Sequence, residues 1–75
     1  MNNNRRNQIN NVIRRLENVK AELEEIYNDE QDYFDNMPEN LQGSERGMNS
    51  EEAIEYMEES LNGIEEAIDS LNNIC

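Results

Sequence analysis

With 75 residues the chain makes one domain at most, and a single cysteine, Cys75, with no histidine gives it neither an intrachain disulfide nor a zinc site. That leaves regular helix packing and self-association as sources of stability. The net charge of −12 predicts repulsion from nucleic acid and anionic membranes, and partners with basic surfaces or apolar grooves.

The first expected element is a long helix. From Ile9 the apolar residues step by three and four through Val12, Leu16, Val19, Leu23 and Ile26, then Tyr33 and Met37. This is a heptad seam with a at 9, 16, 23, 30 and 37 and d at 12, 19, 26 and 33. Ile13, Tyr27 and Phe34 at e widen the stripe, and the remaining positions are almost all polar. No glycine or proline intervenes before Pro38, so one helix is expected over about residues 4–36, roughly 50 Å long. Two seam positions do not suit a core. Arg5 falls at d, which moves the start of packing to Ile9. Glu30 falls at a, either as a solvated gap or as a carboxylate paired with Arg46 or a partner's cation.

Pro38 stops this helix, because it disfavours helical geometry at Met37 and lacks an amide proton. A connection over residues 37–49 is expected. Pro38 can open one short turn through Leu41 or Gln42, ended by Gly43, with Leu41 and Met48 as lids over Tyr33, Phe34 and Met37.

A second helix is expected over about residues 50–74, with Asn49 as N-cap and Glu52 completing a capping box. Its seam runs Ile54, Met57, Leu61, Ile64, Ile68, Leu71 and Cys75. A second stripe has the same spacing: Ala53, Tyr56, Ser60, Gly63, Ala67, Ser70 and Ile74. The charged residues all lie on b, e and f, so the uncharged face is broader than one neighbouring helix needs. Gly63 costs about 1 kcal/mol inside a helix, which makes sense if another backbone comes near it. The face formed by Ala53, Tyr56, Ser60, Gly63, Ala67 and Ser70 is therefore the candidate self-association or partner face.

Together these elements predict an all-α fold: a coiled-coil-like, two-helix antiparallel hairpin that dimerises into a four-helix bundle. The charge pattern agrees with that topology. Residues 1–20 carry five bases against one acid, and residues 21–75 carry one base against seventeen acids. Folding back places Arg5, Arg6, Arg14 and Arg15 beside the end of helix 2, near Glu65, Glu66 and Asp69. Residues 22–59 hold fourteen acids and one base, so the loop end is a negative pole. Glu25, Asp29, Asp32, Asp35, Glu39, Glu45, Glu51 and Glu55 are its candidate partner-binding residues.

Catalytic chemistry finds little support. There is no histidine, no phosphate-cradling glycine loop, and no Glu-x-x-His pair for a di-metal site. The segment Asp35-Asn36-Met37-Pro38-Glu39 does not supply a calcium loop. No enzymatic activity, cofactor or metal is expected. The start, Met1-Asn-Asn-Asn-Arg-Arg-Asn, does not read as a signal peptide, and no apolar run approaches the ~20 residues of a membrane span. The lone thiol fits a reducing cytoplasm.

The stretch Tyr33-Phe34-Asp35-Asn36-Met37-Pro38-Glu39-Asn40-Leu41-Gln42-Gly43-Ser44-Glu45-Arg46-Gly47, followed by an acidic Ala/Ile/Leu helix, resembles short acidic proteins of phages and prophages of low-GC Gram-positive bacteria. The resemblance extends over about residues 10–74 and implies a biological context rather than an activity. Fourteen asparagines fit an AT-rich genome, whereas the single lysine hints that the acidic balance is selected. In that context the expected function is a non-enzymatic protein-binding module that modulates or inhibits a host protein. One alternative is an acidic nucleic-acid mimic that blocks a DNA- or RNA-binding host or defence protein, in the manner of an anti-CRISPR. Helical carboxylates spaced ~5–6 Å apart resemble phosphates along a strand. A further alternative is a structural self-assembling element. The expected partners are a second copy and a host protein with a basic or apolar-groove surface, with no direct nucleic acid and no membrane.

Overall fold

The computed structural model describes residues 1–74; Cys75, expected to close the second seam, lies outside the described residues. Three helices follow in order: α1 (Asn3–Asp35), α2 (Glu39–Gln42) and α3 (Glu45–Asn72). The two long ones pack antiparallel as an extended hairpin 58 Å long and 15 by 13 Å across. Among the described residues no helix is long and apolar enough to cross a membrane.

The ends of α1 lie within a residue of the expected ones. Its N-terminus is capped by Asn2, whose side chain accepts the Arg5 amide at 2.8 Å. At the other end the helix stops before Pro38, and the Gln42 side chain donates to the carbonyls of Phe34 (3.3 Å) and Met37 (3.2 Å). Carbonyls left over at a helix end are thus satisfied by a side chain from the next element. The short turn opened by Pro38 forms as expected. The Pro38 carbonyl accepts the amides of Leu41 and Gln42, and Gly43 ends the turn.

The start of the second long helix differs from the expectation. Its cap is Ser44, not Asn49, and the Ser44 hydroxyl oxygen accepts the Gly47 amide at 3.4 Å. Residues 45–49, expected in the connection, therefore belong to α3. Glycine is unfavourable inside a helix, and close packing explains Gly47 in this first turn. A Cβ at Gly47 would stand 2.1 Å from the Gln42 carbonyl oxygen, so the first turn of α3 can lie against α2 only without a side chain.

The seam on α3 is the expected one, from Ile54 to Leu71, extended at its start by buried Ser50 and Gly47. The seam on α1 is rotated. Residues turned inward are Ile9, Ile13, Leu16, Lys20, Leu23, Tyr27, Glu30, Phe34 and Met37, the a and e positions. The d positions are left outside: Val12, Val19, Ile26 and Tyr33 are between 37% and 57% exposed. One neighbour covers only a narrow stripe. The e register offers Ile13, Tyr27 and Phe34, which bury more area than the valines at d. The resulting core is thin, with Ile13, Met37, Ile54 and Ile68 as its buried apolar side chains.

Candidate interaction face

The hairpin has two unlike sides. On one, the helices are joined by polar contacts from e positions of α1. Lys20 forms an ion pair with Glu65, and the Tyr27 hydroxyl donates to Glu58 at 2.5 Å. These bonds raise the pKa of both groups: the Glu65 hydrogen bond holds the proton on Lys20, and the Glu58 carboxylate holds it on Tyr27. Lys20, which the charge pattern alone did not single out, reaches Glu65, and the Lys20–Glu65 and Tyr27–Glu58 contacts together set the register.

The d positions of α1 lie on the opposite side of the seam. In an antiparallel pair they share that side with the second stripe of α3. The register set by Lys20–Glu65, Tyr27–Glu58 and Glu30–Ser50 places Val12 level with Ser70 and Ile74, Val19 with Gly63 and Ala67, Ile26 with Tyr56 and Ser60, and Tyr33 between Arg46 and Ala53. Tyr56 is 61% exposed; Ser60, Gly63, Ala67 and Ser70 are exposed, and Ala53 is half-buried. The Ser60 hydroxyl donates back to the Tyr56 carbonyl at 2.8 Å, so its polarity is met within the helix. All six residues of the candidate face therefore fall together, and α1 adds an apolar stripe to them. Nothing lies within 4 Å of a Cβ built at Gly63, so the close neighbour expected there is not α1.

At the loop end this side closes in a pocket of about 410 Å³, lined by Tyr33, Asn36, Met37, Pro38, Leu41 and Arg46. The pocket corrects two expectations. Arg46 lines it rather than pairing with Glu30, whose carboxylate accepts a hydrogen bond from the buried Ser50 hydroxyl. Leu41 does stand beside Tyr33 and Met37, but Met48 is 56% exposed and covers nothing there. The sequence held a signal for the pocket: with Ser44 as cap, Arg46 falls seven residues before Ala53, on the same stripe.

The eight acids of the pole, Glu25, Asp29, Asp32, Asp35, Glu39, Glu45, Glu51 and Glu55, are all exposed. They ring the loop half of the hairpin without converging; Asp35 accepts from the Gln31 amide at 3.1 Å. Among the described residues no three acidic or thiol side chains are placed to hold a metal ion. The chain matches no protein-family model, no curated protein and no solved structure.

Proposed function

We propose that the chain is a phage-encoded, non-enzymatic protein-binding module that modulates or inhibits a host protein. One observation carries this reading. One side of the 58 Å hairpin presents Val12, Val19, Ile26, Tyr33 and Tyr56 between 37% and 61% exposed, beside the small, uncharged Ala53, Ser60, Gly63, Ala67 and Ser70 of α3. Large continuous apolar patches of this kind mark contact with another protein. The acids of α3 lie off this strip, where they keep the molecule soluble and steer it toward basic surfaces, and Arg15, Glu22 and Asp29 of α1 border it.

The test is capture of the partner by the intact chain, followed by titration with the purified partner. Binding through the apolar side persists at several hundred millimolar salt and is lost in Tyr56→Ala and Gly63→Leu. Binding that collapses over that salt range and is displaced by nucleic acid would instead establish mimicry through the acidic pole.

A further inference from the structure

We infer that the apolar side is covered by a second copy of the chain, packed head to tail so that each loop end meets the other copy's termini. This rests on the reading of that side as a protein-contact surface, and it names the first occupant and its orientation.

Area supports a second copy. A compact folded monomer of 8.8 kDa exposes on the order of 4800 Å². This chain exposes 5676 Å², and the surplus of roughly 900 Å² is close to the ~800 Å² that each partner gives up in a standard interface. Shape agrees: the apolar strip runs straight along both helices, and a twofold copy presents the same strip in return.

Charge decides the orientation. Two twofold arrangements bring the apolar sides together, and both make every adjacent helix pair antiparallel. In one, α1 lies over the partner's α3 and the two loop ends coincide. Each loop half carries fourteen acids and one base, so this juxtaposes two strongly negative poles. In the other, α1 lies over the partner's α1, running oppositely, and the loop ends are at opposite ends of the assembly. With the ends matched, Val19 falls at the twofold axis, and Val12 meets the partner's Ile26. Arg5 comes level with the partner's Asp32, and Arg15 with the partner's Glu22, so the basic segment of each copy lies on the acidic segment of the other. The same register sets Gly63 opposite the partner's Ser70 and brings Ala67 near the axis. Small residues there let the two α3 helices approach closely, which gives Gly63 the neighbour it lacks within the hairpin.

The experiment uses the full chain. Sedimentation at tens of micromolar is expected to give about twice 8.8 kDa. Val19→Glu places two carboxylates at the axis and is expected to raise the dissociation constant roughly a hundredfold or more. Two single-cysteine variants in a Cys75→Ser background then report orientation without depending on a destabilised fold. Val19→Cys is expected to cross-link into dimers with a short bis-maleimide, whereas Gly43→Cys, at the loop tip, is not. Cross-linking of Gly43→Cys without Val19→Cys overturns the head-to-tail order. A folded monomer overturns the inference altogether. The functional reading fails separately: a monomer whose capture of a host protein is lost in Tyr56→Ala keeps that reading. A dimer with no partner sensitive to these residues refutes it and keeps the inference.

Discussion

Two glycines of this chain have opposite structural demands. Gly47 is held at a point where a Cβ would meet the Gln42 backbone, whereas Gly63 has open space around it within the hairpin. Gly47→Ala is therefore expected to destabilise the fold by about 1–3 kcal/mol through forced displacement of α2 from α3. Gly63→Ala is expected to gain up to about 1 kcal/mol of helix propensity in the dilute chain. Urea unfolding of the two variants side by side, at nanomolar concentration, checks both signs. Ser44→Ala removes the hydroxyl that accepts the Gly47 amide and should cost about 1 kcal/mol in the same assay; equal stability of Asn49→Ala and the parent would confirm that Ser44, and not Asn49, caps α3. Local propensity favoured Asn49, because a glycine in a first turn reads as a break. Only the contact with Gln42, made through the fold of the connection, explains why the helix begins earlier.

At the level of the helices, heptad spacing made the hairpin legible, along with the ends of α1, the turn after Pro38 and the α3 seam from Ile54 to Leu71. It did not reveal which part of the broad apolar stripe on α1 faces α3. Spacing of three and four defines a stripe, but the a/d and a/e choices differ only in how much area each buries, and Tyr27 and Phe34 tip that balance. As a result the α3 half of the candidate face was legible and the α1 half, Val12, Val19, Ile26 and Tyr33, was not. The rotation also brings Lys20 and Tyr27 to the seam, which has a consequence at high pH. Both groups have their pKa raised in the folded chain, Lys20 by its bond to Glu65 and Tyr27 by its bond to Glu58. A raised value means that the stabilisation is complete below the unfolded value, near 10 for tyrosine and near 10.4 for lysine. It is lost as pH climbs through the folded values. Helix content followed from pH 8 to 12 should therefore fall above pH 10. Tyr27→Phe together with Lys20→Met should flatten that fall; an unchanged profile in the double variant would show that these two bonds do not link the helices in solution.

At the scale of the whole molecule, charge and apolar surface are arranged along different axes. The apolar strip divides one side of the hairpin from the other, while charge divides the termini end from the loop end. The loop half holds fourteen acids against Arg46 alone, so folding concentrates like charges that an extended chain would keep apart. Such self-repulsion opposes the compact state. Its range is set by the ionic atmosphere, about 30 Å at 0.01 M and under 10 Å above 0.1 M. The melting temperature should therefore rise with sodium chloride between 0.01 and 0.5 M, by several degrees if screening relieves about 1 kcal/mol in a domain of this size. Ion pairs pull the other way, since the Lys20–Glu65 bridge weakens with salt, but an exposed bridge contributes little. The source of the effect is separable by substitution. Replacing Asp32, Glu51 and Glu55 with their amides removes charge from the pole without touching the seam, and should raise the melting temperature at low salt and shrink its salt dependence. A melting temperature that falls with salt would mean instead that attraction between the basic termini and the acidic pole outweighs repulsion within the pole. In a head-to-tail dimer that attraction acts between copies, so the same titration run at two protein concentrations tells the two sources apart: repulsion within one pole gives the same slope at both, and attraction between copies shifts the slope toward negative values as the dimer fills.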